Sequence, residues 1–145
     1  MTLKFGIIGC GRIAQRHAEH IIKTEGAELD SVCDIELSKA KELGQKHNVP
    51  YFESLDSLLA DRNVDIVSIC SPNGLHTEHS IAALKSGAHV LCEKPMAISV
   101  YDCGEMIKAA EKANKRLFVV KQNRYNPPVE AVHKLIEENK LGQIY

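Results

Sequence analysis

The first stretch of the chain whose residue types could do chemistry is Gly9-Cys10-Gly11-Arg12-Ile13-Ala14. It has the form G-x-G-x-x-A and stands between the apolar run Leu3–Ile8 and a segment of helical periodicity. In that setting Gly9 permits a tight turn, Gly11 lets the backbone come close to a pyrophosphate, and Ala14 keeps helix against strand. The helix start, with Arg12 and Ile13, would offer unpaired N–H groups and the positive dipole end to phosphates.

Asp34 follows about 20 positions beyond Ala14, at the end of the next apolar run, where a carboxylate can accept hydrogen bonds from both hydroxyls of an adenosine ribose. The competing reading is a cap on the helix that follows; the fingerprint upstream favours the ribose. A carboxylate there repels a 2′-phosphate and Ile35 brings no positive charge, so NAD is preferred to NADP.

Three further polar clusters follow apolar runs: Ser71-Pro72-Asn73-Gly74-Leu75-His76, Glu93-Lys94-Pro95 and Lys121-Gln122-Asn123-Arg124-Tyr125. Polar residues gathered at the ends of buried strands have the composition of a site more than of ordinary loops. His17, His20, His47, His79, His89 and His133 show no shared ligand spacing, and no metal site is expected.

The elements that must position these residues alternate. Strands are expected at Leu3–Ile8, Leu29–Cys33, Pro50–Phe52, Asp65–Cys70, Val90–Cys92 and Leu117–Lys121. Between them, apolar residues recur at helical spacing: Ile13/Ala14, His17/Ala18 and Ile21/Ile22; then Leu37, Ala40 and Leu43; then a brief helix capped by Ser54 with Leu55, Leu58 and Leu59 inward. A helix from about His76 to Ser86 is stopped by Gly87. Ser99 and Asp102 form a capping-box pattern ahead of Cys103, Met106, Ile107 and Ala110. Pro127-Pro128 opens a last helix carrying Val129, Val132, Leu135 and Ile136 on one face, closed by Gly142. Such alternation predicts an α/β fold: a doubly wound, six-stranded parallel sheet of the Rossmann type with helices on both faces and ligands beyond the carboxyl ends of the strands.

Bulk properties narrow the classes. The 145 residues, 44% of them hydrophobic, are enough for one domain with a buried core. Eighteen basic and 19 acidic side chains give a net charge of −1 without single-sign blocks, which argues against nucleic acid or an anionic membrane as partner. No apolar run approaches the roughly 20 residues of a membrane span, and Met1-Thr2-Leu3-Lys4 leads into a strand rather than a signal peptide, so a cytoplasmic location is expected. The five cysteines, Cys10, Cys33, Cys70, Cys92 and Cys103, are odd in number and contain no CxxC pair; they are expected as reduced thiols, in packing roles more than reactive ones.

With Gly9–Ala14, Asp34, Ser71-Pro72-Asn73, His76 and above all Glu93-Lys94-Pro95 in view, the chain resembles the Gfo/Idh/MocA oxidoreductases, over essentially its whole length. Lys121-Gln122-Asn123-Arg124-Tyr125-Asn126-Pro127 is similar to the branch that oxidises C3 of UDP-linked N-acetylglucosaminuronic acid in surface-polysaccharide synthesis. The resemblance implies that Lys94 touches both the nicotinamide ribose and the reacting hydroxyl, where an ammonium stabilises charge developing on oxygen. It implies that Glu93 holds Lys94 charged and oriented, and that Ser71, Pro72, Asn73, His76 and Gln122 lie along the cofactor. Asn123 and Arg124 are candidates for the nicotinamide or an anionic substrate; Arg124 could equally pair with a neighbouring acid.

The resemblance further implies a second domain. Residues 1–142 are expected to form the NAD-binding domain and 143–145 the start of a substrate and oligomerisation domain, with Ile144-Tyr145 entering its first strand. The general base and most of the sugar pocket would belong there, and the parent would be a dimer or tetramer. Rival expectations are oxidation of a free polyol such as inositol, or a regulatory module that senses dinucleotide without catalysis.

Overall fold

The fold was obtained as a computed structural model, which describes residues 2–61 and 63–144. Met1 and Tyr145, the outermost residues of the two terminal expectations, lie outside the described residues. The elements run β1 (Leu3–Ile8), α1 (Arg12–Lys23), β2 (Ala27–Cys33), α2 (Leu37–His47), β3 (Tyr51–Phe52), α3 (Leu55–Asp61), β4 (Ile66–Ile69), α4 (His76–Lys85), β5 (His89–Cys92), α5 (Val100–Ala113), β6 (Leu117–Val119) and α6 (Pro127–Glu137).

All six strands are parallel, in the order β3-β2-β1-β4-β5-β6. The chain winds outward from β1 to one edge, returns to β4 beside β1, and winds to the other. Order therefore reverses between β1 and β4, where neighbouring loops diverge and leave a crevice.

Two apolar layers follow from the period-two alternation of buried strands. Ile7 and Val32 face Ala14, Ala18 and Ile21 of α1 and Ala40 and Leu43 of α2. Ile8, Val67, Ile69, Val90 and Cys92 face Leu55 and Leu58 of α3, Ala83 and Leu84 of α4, and Met106 and Ala110 of α5. The small residues Ala14 and Ala18 let α1 lie close on the sheet, which fixes its N-terminus at the crevice.

β2 starts at Ala27 and β4 runs only Ile66–Ile69, and Ile13, Ile22 and Leu37, expected on the inner helix faces, are 38–51% exposed because Ala14, Ala18, Ile21, Ala40 and Leu43 take the sheet-facing stripe. Further differences from expectation fall at the β6 side. β6 stops at Val119, two residues early, because Val120 makes its last ladder bond to Cys92 and an edge strand has nothing further to pair with. Ile107 lies beside the stripe of α5 and is 49% exposed. α6 starts at Pro127 as expected but ends at Glu137, well short of Gly142, and its apolar face is open: Val129, Val132, Leu135 and Ile136 are 36–49% exposed. Ile144 has no regular structure.

Candidate functional site

At the mouth of the crevice β1 turns into α1. Gly9 has φ of +86°, and a Cβ there would lie 2.6 Å from the Ser71 nitrogen and 2.7 Å from the Cys70 carbonyl, so only glycine lets β1 and β4 end this close together. At Gly11 φ is −75° and an added Cβ would meet nothing within 4 Å. Its lack of a side chain serves no contact inside the protein; it leaves open space above the helix. α1 begins there with no side-chain cap and no acidic residue in its first turn. Its orphan N–H groups and positive dipole end thus face that space, while Arg12 and Ile13 are exposed on the rim.

Asp34, half-buried after β2, has both oxygens aimed by backbone: Oδ2 accepts from Cys10 N at 2.7 Å and Oδ1 from Glu36 N at 2.8 Å. It does not cap α2, whose N-cap is Glu36. An ionised carboxylate offers about four acceptor positions, so two remain for hydroxyl donors. A cavity of about 520 Å³ runs from Gly9 and Gly11 past Asp34 and Ile35 to Ser71, Pro72 and His79. Lys39 also borders it, with its ammonium bonded to Glu36. Lys94 does not line this cavity.

Across β4, Ser71 is buried while Pro72 and Asn73 are exposed, Asn73 opening a single 3-10 turn ahead of α4. His76 is 1% exposed and its ring is wedged between two carbonyl oxygens, Nδ1 2.7 Å from that of Pro95 and Nε2 2.9 Å from that of Ser71; with one N–H it donates to one and contacts the other. It ties the loop after β4 to the loop after β5 and presents no ring atom to the crevice. His79, which the spacing of histidines gave no reason to single out, has Nδ1 2.9 Å from the Ser71 hydroxyl. Burial lowers its pKa, so near neutrality the ring is uncharged and shares a hydrogen bond with that hydroxyl.

The expectation that Glu93 grips the Lys94 ammonium needs correction. Glu93 is buried; its Oε1 lies 2.9 Å from His17 Nε2 and its Oε2 accepts from the Lys94 backbone N–H at 3.1 Å. It holds Lys94 by the main chain, and the exposed Lys94 ammonium has no ion pair among the described residues. His17 Nδ1 is in turn 2.6 Å from the Ser68 hydroxyl. His17 and Ser68 escaped the motif reading, although each is a polar residue in an apolar stripe, which demands a partner.

Gln122, Asn123 and Arg124 sit exposed on a 3-10 turn after β6, at the same carboxyl edge of the sheet as Lys94. Arg124 has no acidic partner among the described residues. The cysteines are free, four of them buried; burial and, secondarily, Asp34 push the Cys10 thiol up to about 12, and burial pushes Cys92 up to about 11. Among the described residues no cluster of three or more His, Cys, Asp or Glu could hold a metal, and no helix is long and apolar enough to cross a membrane.

Residues 3–121 match the Gfo/Idh/MocA family, described as an oxidoreductase family with an NAD-binding Rossmann fold. The chain superimposes with a TM-score of 0.94 on the WlbA dehydrogenase of Chromobacterium violaceum, solved with NADH and UDP-GlcNAcA, at 41% identity over 99% of this chain and 42% of that one. For the Bordetella pertussis WlbA dehydrogenase, also solved with NADH and UDP-GlcNAcA, the TM-score is 0.96 at 38% identity, over 100% and 45%. D-glucoside 3-dehydrogenase of Escherichia coli is 35% identical over 99% of the chain and 41% of its own length. The chain thus spans somewhat over two fifths of these relatives. An uncapped helix start, a carboxylate aimed by two backbone N–H groups and an exposed lysine past β5 stand around one switch point, and the chain belongs to the Gfo/Idh/MocA oxidoreductases as an NAD-binding Rossmann domain.

Proposed function

We propose that this chain is the dinucleotide half of an NAD-dependent sugar dehydrogenase that moves hydride between a secondary alcohol of a nucleotide-linked sugar acid and NAD. The observation that carries the proposal is the placement of Asp34 and Lys94 on opposite sides of the β1/β4 switch point, with the open N-terminus of α1 between them. The residues fit the cofactor. Space above Gly11 admits a diphosphate, the N–H groups of Arg12 and Ile13 receive it, and the cavity beside Asp34 takes the adenosine. Ser71, Pro72 and Asn73 border its path on one side, Glu93, Lys94 and Gln122 on the other. His76 contributes by fixing the Ser71 and Pro95 loops.

Bound NAD would supply the hydride acceptor. Lys94, its ammonium unpaired, would lie beside the alcohol and stabilise negative charge as it grows on oxygen. Asn123 and Arg124 would meet the anionic part of the substrate, Arg124 through its bidentate fork. The proton acceptor would come from residues beyond this chain, in a protein of the relatives' length with a second, substrate-binding domain. Two relatives solved with UDP-GlcNAcA support a nucleotide-sugar substrate; a place in surface-polysaccharide synthesis follows only from the resemblance carried by Lys121–Pro127. Five unpaired cysteines suit a reducing compartment such as the cytoplasm.

The test is NAD reduction by the full-length protein with UDP-GlcNAcA and, in parallel, inositol. Lys94→Met should lower kcat by about 100-fold or more, the scale of losing a transition-state charge stabiliser, while NADH affinity stays within a few-fold. Undiminished turnover by Lys94→Met would remove the proposal; turnover with inositol alone would move the substrate to free polyols.

A further inference from the structure

We infer that His17 is a positioning residue for Lys94, acting through Glu93. The inference rests on the reading above only where it concerns catalysis; the mechanical link stands on its own.

His17 projects from α1, the helix whose first turn forms the floor of the crevice, and its side chain is 11% exposed. Its two ring nitrogens are spoken for by elements of the sheet: Nδ1 by Ser68 in the middle of β4 at 2.6 Å, Nε2 by Glu93 just past β5 at 2.9 Å. A carboxylate only accepts, so the Nε2–H donates to Glu93, and Nδ1 accepts from the Ser68 hydroxyl. One tautomer satisfies every member, and the donations converge on the carboxylate: Ser68 to His17 to Glu93 from one side, and the Lys94 N–H to the other oxygen of Glu93, at 3.1 Å, from the other.

The geometry fixes more than a side chain. Glu93 N is bonded to Ile69 O and holds the end of β5 to β4, but the Glu93–Lys94 peptide lies beyond the ladder. The Cys92 thiol reaches the carbonyl of that peptide at 3.3 Å, and the Glu93 carboxylate holds its N–H; His17 decides where the carboxylate points. On the far side His76 Nδ1 holds the Pro95 carbonyl at 2.7 Å. Lys94 is therefore carried on a short bridge between two histidine struts, one planted on the phosphate-binding helix and one at the start of α4. Its exposed ammonium, unpaired among the described residues, owes its placement to the main chain.

The test is residue-resolved amide exchange by NMR on the chain, combined with NADH titration and turnover of the full-length protein. His17→Leu should speed exchange at Lys94 at least ten-fold while the ladder amides of Val67, Val90 and Cys92 keep their rates. His17→Gln, whose terminal amide can donate to Glu93, should restore most of the protection. Ser68→Ala, a milder cut at the other end of the relay, should give an increase of a few-fold and decides the matter should His17→Leu loosen the whole sheet. In turnover His17→Leu should lower kcat by ten-fold or more with NADH affinity changed less than three-fold, and His17→Gln should recover it. An unchanged Lys94 amide in both His17→Leu and Ser68→Ala overturns the link. An altered amide with unchanged kcat, in a protein that Lys94→Met inactivates, overturns the positioning role. Full activity of Lys94→Met would instead refute the role of Lys94 and leave the link standing.

Discussion

Two glycines two residues apart, Gly9 and Gly11, illustrate how single residues divide the work. Gly9 is required by the fold: alanine there would force a left-handed backbone and collide with Ser71 and Cys70, a loss of about 2–5 kcal/mol combining strain and overpacking. Gly11 is required by the ligand: alanine fits its φ of −75° and meets nothing. Gly11→Ala should therefore leave the melting temperature within about 2 °C of wild type, the scale of a surface change, yet weaken NADH at least ten-fold in a fluorescence titration. The thiols give a second prediction. The unfolded chain releases their protons near 9.0, whereas the folded chain holds them to about 11 at Cys92 and about 12 at Cys10. A raised folded pKa means stability is undiminished below pH 9 and is lost as pH rises above it. Thermal melts should superimpose between pH 7 and 8.5 and shift down by pH 10, and at pH 8 alkylation should reach Cys103, the least buried, before the others. At this scale the fingerprint, and the positions of Asp34 and Lys94 at strand ends, were legible because they follow from local sequence. The Ser68–His17–Glu93 relay was not, since its partners are 51 and 76 residues apart and only the crossovers bring them together.

Elements were legible where burial makes a strand largely apolar, as in β4 and the second half of β1, and where a capping residue marks a start. Ser99 is the clearest instance: its Oγ accepts from Asp102 N at 3.1 Å and donates to the Asp102 carboxylate at 2.6 Å. Ser99→Ala should cost about 1 kcal/mol, the usual worth of an N-cap, read as a lowered midpoint in urea with an unchanged slope. α5 packs on α4 through Met106 and Ala110, so fraying its first turn leaves the core in place and cofactor affinity unaltered. Boundaries were less legible at β6 and α6. Periodicity states that a helix has an apolar face, not that anything covers it, and α6 makes its main contacts with the turn just before it. Asp34 shows the same limit: its place at the end of β2 could be read from sequence, but the two backbone N–H groups that aim it could not.

For the molecule as a whole, the doubly wound order places an uncapped helix start, an aimed carboxylate and a lysine loop along one crevice, and each is held by a different part of the sheet. That arrangement asks for a ligand with a diphosphate at its centre and a ribose bearing two free hydroxyls at one end. Calorimetric titration of the chain with NADH and with NADPH addresses it directly, with Asp34→Ala as the paired variant. Saturable one-to-one heat with NADH, much weaker binding of NADPH, and a loss on Asp34→Ala of about 2 kcal/mol, the worth of hydrogen bonds to a charged acceptor, are the predicted results. A folded chain that gives no heat with either nucleotide, or that prefers NADPH, would contradict the account.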